Sequence, residues 1–263
     1  MNQVVEMRSL KAAGGSNVGL VRAINEDAYF MGTKIWAVAD GMGGQAAGDV
    51  ASKIAQQFLE WQDQSGPIGQ PQITALLTHI NEAILSYGAS NPRAAGLGTT
   101  IAGIAYTELA GQAHWLIFHI GDSRVYRLHD GQLIRETSDH SEVQALLDKG
   151  YISAEEARHH PQRNILSRCL GGREPLKADM RLIPIQSGDR MMICSDGLTT
   201  EVEDGIIGSV LTTALNPQQA VDILVTAALE RGGRDNVTVI VVEGEGDANE
   251  NYGVLWEDTR PVR

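Results

Sequence analysis

Four aspartates stand at the tips of short apolar strand signals. They lie in Ile35-Trp36-Ala37-Val38-Ala39-Asp40, Phe118-His119-Ile120-Gly121-Asp122, Ile193-Cys194-Ser195-Asp196 and Asp235-Asn236-Val237-Thr238-Val239. Three follow a strand signal and the fourth precedes one. If the last strand runs antiparallel to its neighbours, all four carboxylates meet at one end of the sheets. Carboxylates that close raise one another's pKa unless cations neutralise them. An all-oxygen donor set with water in the remaining positions suits Mg²⁺ or Mn²⁺ better than Zn²⁺. The pattern is that of a metal-dependent hydrolase.

Taken singly, each motif is weak. In Asp40-Gly41-Met42-Gly43-Gly44 a Gly41 carbonyl beside the Asp40 carboxylate would give one cation two ligands from one turn, and a plain turn is the alternative. Asp196-Gly197 and Asp235-Asn236 are ordinary turn pairs, so only their joint placement counts. Upstream, Arg22, Glu26 and Asp27 stand immediately before a strand signal. An arginine fork can hold a phosphate through two parallel hydrogen bonds, and a surface ion pair between Arg22 and Glu26 is the alternative. For Asp122 the alternative is a turn residue paired with Arg124. Of the two cysteines, Cys194 lies in an apolar strand signal and Cys169 has no neighbouring base, so both read as structural.

The elements that must position these residues are legible as periodicity. Strand signals fall at Asp27–Met31, Lys34–Ala39, Thr99–Tyr106, His114–Ile120, Val125–Leu128, Arg190–Ser195 and Val237–Val242. Asp130-Gly131, between Val125–Leu128 and Gln132–Arg135, is a two-residue hairpin signal and points to antiparallel sheets. Helical spacing joins Ala47, Val50, Ile54 and Phe58, then Ile73, Leu76, Ile80 and Ile84 behind Pro71, then Val221, Leu224, Val225 and Ala228 behind Asn216-Pro217. Strands mixed with amphipathic helices predict an α+β layered sandwich.

Residues 138–176 stand apart as a polar inserted flap holding His159, His160, Arg163 and Arg168. Within it Ser141 can cap a helix through Leu147, and Ser153 with Glu156 matches a capping box. Residues 1–243 read as one domain, and 244–263 as a flexible acidic tail. Leu255 and Trp256 in that tail are either a docking peptide or incidental.

At 263 residues and 43% hydrophobic content, the chain can bury one large core. Its net charge of −12 argues against a nucleic-acid partner, which needs a basic face. No apolar run approaches the ~20 residues that span a bilayer and no signal peptide is legible, so a cytoplasmic protein is expected.

Read in order, Val21-Arg22 with Asn25-Glu26-Asp27, Val38-Ala39-Asp40-Gly41-Met42-Gly43-Gly44, Gly98-Thr99-Thr100, Gly121-Asp122-Ser123-Arg124, Ser138-Asp139-His140, Ser195-Asp196-Gly197-Leu198 and Gly233-Arg234-Asp235-Asn236-Val237-Thr238 resemble the metal-dependent protein phosphatases of type 2C, in their compact bacterial form. The resemblance implies a four-layer α-β-β-α sandwich of two antiparallel sheets flanked by helices, with an inserted flap. It implies two Mn²⁺ or Mg²⁺ ions at one end, with a third possible. The implied reaction is hydrolysis of phosphoserine and phosphothreonine on proteins by a metal-activated water, opposing a bacterial Ser/Thr kinase. A monomer is implied, without nucleic-acid or membrane partners.

Carried over by position, Asp40 would bridge the two metals, the Gly41 carbonyl would bind the first, and Asp196 and Asp235 would ligate the second. Asp122 with Asp196 would hold the third. Glu26 and Asp27 would hold metal-bound waters, with Asn236 in a supporting position. Arg22 matches the arginine that binds substrate phosphate. The stretch 138–176 matches the flap beside the active site. Two departures concern the general acid. Family histidines are replaced here by Met42 and Gln45, neither of which donates a proton at a useful pKa. His160 in the flap is a substitute, or a solvated loop histidine. A partner-binding regulator or a small-molecule phosphatase on the same fold are the competing readings.

Overall fold

Strands that are buried on both faces read as continuous apolar runs, and this chain stacks two such sheets. The computed structural model describes residues 10–43, 47–172 and 176–244. Its strands are β1 (Leu10–Asn17), β2 (Asp27–Met31), β3 (Ile35–Met42), β4 (Gly98–Thr99), β5 (Ile101–Leu109), β6 (Gln112–Ile120), β7 (Arg124–His129), β8 (Gln132–Arg135), β9 (Asp179–Pro184), β10 (Arg190–Cys194) and β11 (Val237–Gly244). The helices are α1 (Gly48–Gln64), α2 (Gln70–Ser90), α3 (Glu142–Asp148), α4 (Ala154–His159), α5 (Asp196–Thr199), α6 (Asp204–Thr213) and α7 (Pro217–Glu230). One sheet runs β1-β11-β10-β7-β8. The other runs β2-β3-β5-β6-β9, with β4 on β3. Every ladder is antiparallel.

The period of two along each strand divides the core into three layers. From β3, Ile35, Ala37 and Ala39 face α1 and α2, while Trp36 and Val38 face the other sheet. From β11, Val237, Val239 and Val241 pack under α6 and α7, while Ile240 and Val242 enter the inter-sheet layer. Trp36 meets Trp115 edge-on there, with ring centroids 5.8 Å apart. The order is therefore helix, sheet, sheet, helix, as the family resemblance implied. Asp130 and Gly131 both take positive φ between β7 and β8, as the two-residue hairpin requires.

Two strands and one longer helix escape periodicity. β1 is poor in branched residues because it is squeezed. A Cβ on Gly14 would lie 2.9 Å from Met31 Sδ, and one on Gly15 2.9 Å from Val221. The edge strand β9 alternates polar and apolar residues and ends at Pro184, and α6 begins without a side-chain cap. The Thr99–Tyr106 signal is interrupted at Thr100, whose N–H leaves the sheet ladder for the Asp40 carbonyl. Both expected caps in the 138–176 stretch are present, Ser141 on α3 and the Ser153–Glu156 box on α4. The expected tail from 245 on lies outside the described residues, as do Leu255 and Trp256.

The β2–β3 turn, which sets where β3 delivers Asp40, hangs on one buried carboxylate. Asp63, 7% exposed near the end of α1, accepts from the backbone N–H groups of Thr33, Lys34 and Ile35 and from the Thr33 hydroxyl. Asp63→Ala strands these donors and is expected to lower stability by about 3 kcal/mol in equilibrium urea unfolding. Asp63→Asn should recover part of the loss.

Candidate active site

Where β3, β6 and β10 finish and β11 begins, the carboxylates collect. Asp40 precedes the end of β3, Asp122 follows β6, Asp196 opens α5 just past β10, and Asp235 precedes β11. The antiparallel β10–β11 register, Cys194 opposite Val239, returns the last strand to the same end. β2 adds a fifth carboxylate, because Asp27 sits directly opposite Asp40 across the β2–β3 ladder. Like charges in that position destabilise a sheet.

Backbone and hydroxyl bonds hold the group. The Asp40 carbonyl accepts from Thr100 N–H at 2.9 Å and from the Thr99 hydroxyl at 2.9 Å. Asp40 N–H donates to Thr100 Oγ1, which shares a 2.7 Å hydrogen bond with Ser123 beside Asp122. Asp27 Oδ2 accepts from Ser195 Oγ at 2.8 Å and Thr238 Oγ1 at 2.6 Å, both from the opposite sheet. Asn236 accepts the Glu26 N–H and donates to the carbonyls of Val18 and Ile24, shaping the loop that presents Arg22. Glu26 Oε1 accepts Gly48 N–H at the start of α1. Gly41 donates its N–H to the Glu26 carbonyl, and a Cβ there would collide with the Gly48 carbonyl. Glycine is required at 41 by space.

Charge crowding follows. Burial, then the charges of Asp27, Asp196, Asp122 and Asp235, holds the Asp40 carboxyl well above the usual range. Burial pushes Asp27 up to about 7 against the hydrogen bonds from Thr238 and Ser195. Asp122 and Asp196 are raised by burial first, with Asp196 acting on the former and Asp235 on the latter.

Divalent cations fit these residues. The donor set is all oxygen, the carboxyls are held in a state that a cation would relieve, and Asp27 Oδ1 is buried with no hydrogen-bond partner. Among the described residues, only His119, His140 and Asp179 place three ligand atoms all within 4.8 Å of one another. The aspartates are thus spread over the strand ends rather than closed on a point, which suits more than one ion.

Arg22 does not pair with Glu26. Its Nη2 donates to Asp235 Oδ2 at 2.8 Å from a half-exposed position on the rim. Nor does Arg124 pair with Asp122, since its guanidinium is bidentate on Asp139. A cleft of about 670 Å³ opens from Asp122 and Asp196 between α4 and the α5–α6 turn, with Arg163 on its wall. His160 does not line it. At the end of α4 its Nδ1 accepts Gln162 N–H, which fits the loop-histidine alternative. Gly44 and Gln45 lie outside the described residues. Burial pushes the Cys194 thiol up to about 12 and raises Cys169, so neither is a ready nucleophile. The sequence marked Thr100, Ser123, Ser195 and Thr238 only as motif members. Their partners in these bonds are 23 to 211 residues away along the chain, and no local signal names them.

The sequence profile of the family described as protein phosphatase 2C matches residues 21–229. The serine/threonine protein phosphatase PstP of Mycobacterium tuberculosis is 41% identical over 89% of this chain, which spans 45% of that protein's length. The serine/threonine phosphatase stp of Listeria innocua is 36% identical over 78% of this chain and 82% of that protein. The crystal structure of the PstP catalytic domain in complex with two manganese ions superposes with a TM-score of 0.82 at 38% identity, over 90% of this chain and 98% of that one.

A carboxyl whose folded pKa is raised stabilises the fold at low pH, and that contribution is lost as pH rises through the folded value. Between pH 6.5 and 8 the unfolded forms of His119 and His140, whose folded values are lowered, still shed protons with a pKa of about 6.5, which raises stability, so a fall across this window is assigned to the carboxyls. The Tm of EDTA-treated protein should fall across it, Mn²⁺ should reverse the fall, and Asp40→Asn should flatten it. Differential scanning calorimetry at constant ionic strength checks all three.

Proposed function

This chain belongs to the protein phosphatase 2C family, and from that premise we propose that it hydrolyses phosphoserine and phosphothreonine on proteins, consuming the product of a Ser/Thr kinase. The observation that carries the reading is the row of half-buried carboxylates at the strand ends with Arg22 on its rim. Asp40, the Gly41 carbonyl, Asp196 and Asp235 would hold two Mn²⁺ or Mg²⁺ ions, and Asp122 with Asp196 a third. Bound there, the ions would supply charge neutralisation and Lewis acidity toward water and the phosphoryl group.

The chain's own residues do the rest. Asp235 orients Arg22 through one Nη2 contact, which leaves the other edge of the fork for two phosphate oxygens. Asp27 Oδ1 offers an acceptor to ordered water beside the site. Asn236 and Glu26 hold the 18–26 loop so that Arg22 is presented at a fixed height over the carboxylates. Water attacks phosphorus, the P–O ester bond breaks, and the products are inorganic phosphate and the serine or threonine hydroxyl. No covalent phosphoenzyme is required, in keeping with the buried Cys194. Four to five crowded carboxylates have no use in a protein that only binds a partner, which supports catalysis over the regulatory alternative.

Phosphate release from a phosphothreonine peptide should need Mn²⁺ and vanish in EDTA. Asp40→Asn and Asp196→Asn should lower kcat by about 10³-fold or more while the protein stays folded. Arg22→Ala should raise KM about tenfold, with kcat falling as well if the fork tightens in the transition state. Silence of the wild type with and without Mn²⁺ would sink the proposal and leave a partner-binding protein. Turnover of small phosphate esters alone would reassign the substrate.

A further inference from the structure

A dense cluster of titratable groups lies at the foot of segment 138–176. His119 is the penultimate residue of β6, Asp179 opens β9 opposite it, and His140 and Arg168 belong to the two arms of the segment. The imidazoles of His119 and His140 are buried and stacked, centroids 4.4 Å apart at 25°. The ligand atoms of His119, His140 and Asp179 lie within 4.8 Å of one another, a spacing that also occurs in metal sites.

The partners of the His140 ring are a backbone amide on one side and charged side chains on the other. Gly121 N–H donates to His140 Nδ1 at 3.2 Å, which uses that lone pair. Nε2 lies 3.0 Å from Arg168 Nη1 and 3.3 Å from Asp179 Oδ2, and Arg168 Nη1 also donates to Asp179 Oδ1 at 2.9 Å. Burial and the neighbouring His119 ring push His140 down to about 4, so the ring is neutral at pH 7 and can accept the Gly121 N–H.

The backbone completes a bracket. His140 N–H donates to the Gly121 carbonyl at 2.9 Å, so one residue grips both sides of Gly121. The His140 carbonyl in turn accepts Ser167 N–H from the returning arm at 2.9 Å. Gly121 has φ of 107°, and a Cβ there would lie 2.6 Å from Thr100 Cγ2, so it is wedged between Thr100 and His140. The next residue is Asp122.

We propose that His140 is a positioning residue: it clamps the Gly121 turn, aims Asp122 into the carboxylate row, and ties the placement of that carboxylate to segment 138–176. The functional part rests on the phosphatase reading of Asp122, whereas the clamp itself does not. Asparagine can place its amide oxygen where Nδ1 lies, and glutamine reaches instead toward the Nε2 position, so the two variants separate the Gly121 bond from the Asp179 contact.

The test uses the full chain with His140→Ala, His140→Asn, His140→Gln, Asp122→Ala and the Ala/Ala double variant. Amide exchange at Gly121 in metal-free protein should speed up in the Ala and Gln variants and stay slow in the Asn variant. With Mn²⁺, His140→Ala should cost about 10–100-fold in kcat and weaken the weakest calorimetric Mn²⁺ site, and His140→Asn should recover both. In the Asp122→Ala background the loss of His140 should change the residual rate by less than about twofold. Recovery by glutamine but not asparagine, additive losses in the double variant, or unchanged Gly121 exchange in His140→Ala would each overturn the clamp. An inactive wild type with the expected exchange pattern would support the clamp and sink the phosphatase reading alone.

Discussion

Mutual repulsion among carboxylates at one end of the sandwich is the constraint that the rest of the structure answers. Asp27 opposite Asp40 is an arrangement that a sheet selected for stability alone would avoid. It persists because the backbone has no freedom to relieve it. β3 is held by β2 and β5 on either side, and both of its faces are packed, one under α1 and α2 and one against the second sheet. The inter-sheet layer, where Trp36, Val38 and Trp115 of one sheet pack with Met191, Ile193 and Ile240 of the other, fixes the two sheets against each other. Burial first, and repulsion after it, therefore hold the carboxyl pKa values up rather than being relieved by a local rearrangement.

Hydroxyl groups convert that rigidity into alignment of side chains. Ser195 and Thr238, on β10–α5 and β11, bind the carboxylate of Asp27 from the other sheet, and Thr100 joins the Asp40 backbone to Ser123. Each is a short side chain with one rotor, so little freedom remains once the bond forms. The site thus spans two sheets yet behaves as one piece, and its parts are registered to the same scaffold as the core.

Around that rigid row the loops differ in how they are tied. The 18–26 loop is tied by the Asn236 amide and by Leu20 N–H on the Gly233 carbonyl, and offers Arg22 at the surface. Segment 138–176 is tied at its foot through His140 and through bridges from Ser141 to Leu166 and from Thr99 to Leu170, while α4 carries its exposed charges out along the cleft wall. A scaffold that is stiff at the carboxylates and less constrained at the rim suits a site that must hold cations fixed and admit varied polypeptides.

The sequence by itself determined the element types, the shared end of the four aspartates and the metal chemistry that such crowding demands. Those features are encoded locally: period-two runs mark the strands, Asp130-Gly131 marks a hairpin, and an aspartate after an apolar run marks a strand tip. The glycine-rich β1 and the edge strand β9 were not legible, because close packing and edge position suppress the branched-residue signal. The family resemblance supplied the layering and the expected roles, including Asp27 as a holder of waters. Only the tertiary structure decided which groups face each other. It paired Arg22 with Asp235 rather than Glu26, gave Arg124 to Asp139, set Asp27 across from Asp40, and closed His140 onto Gly121. Such contacts join residues separated by 13 to 213 positions and depend on strand register and loop path, which side-chain periodicity does not specify.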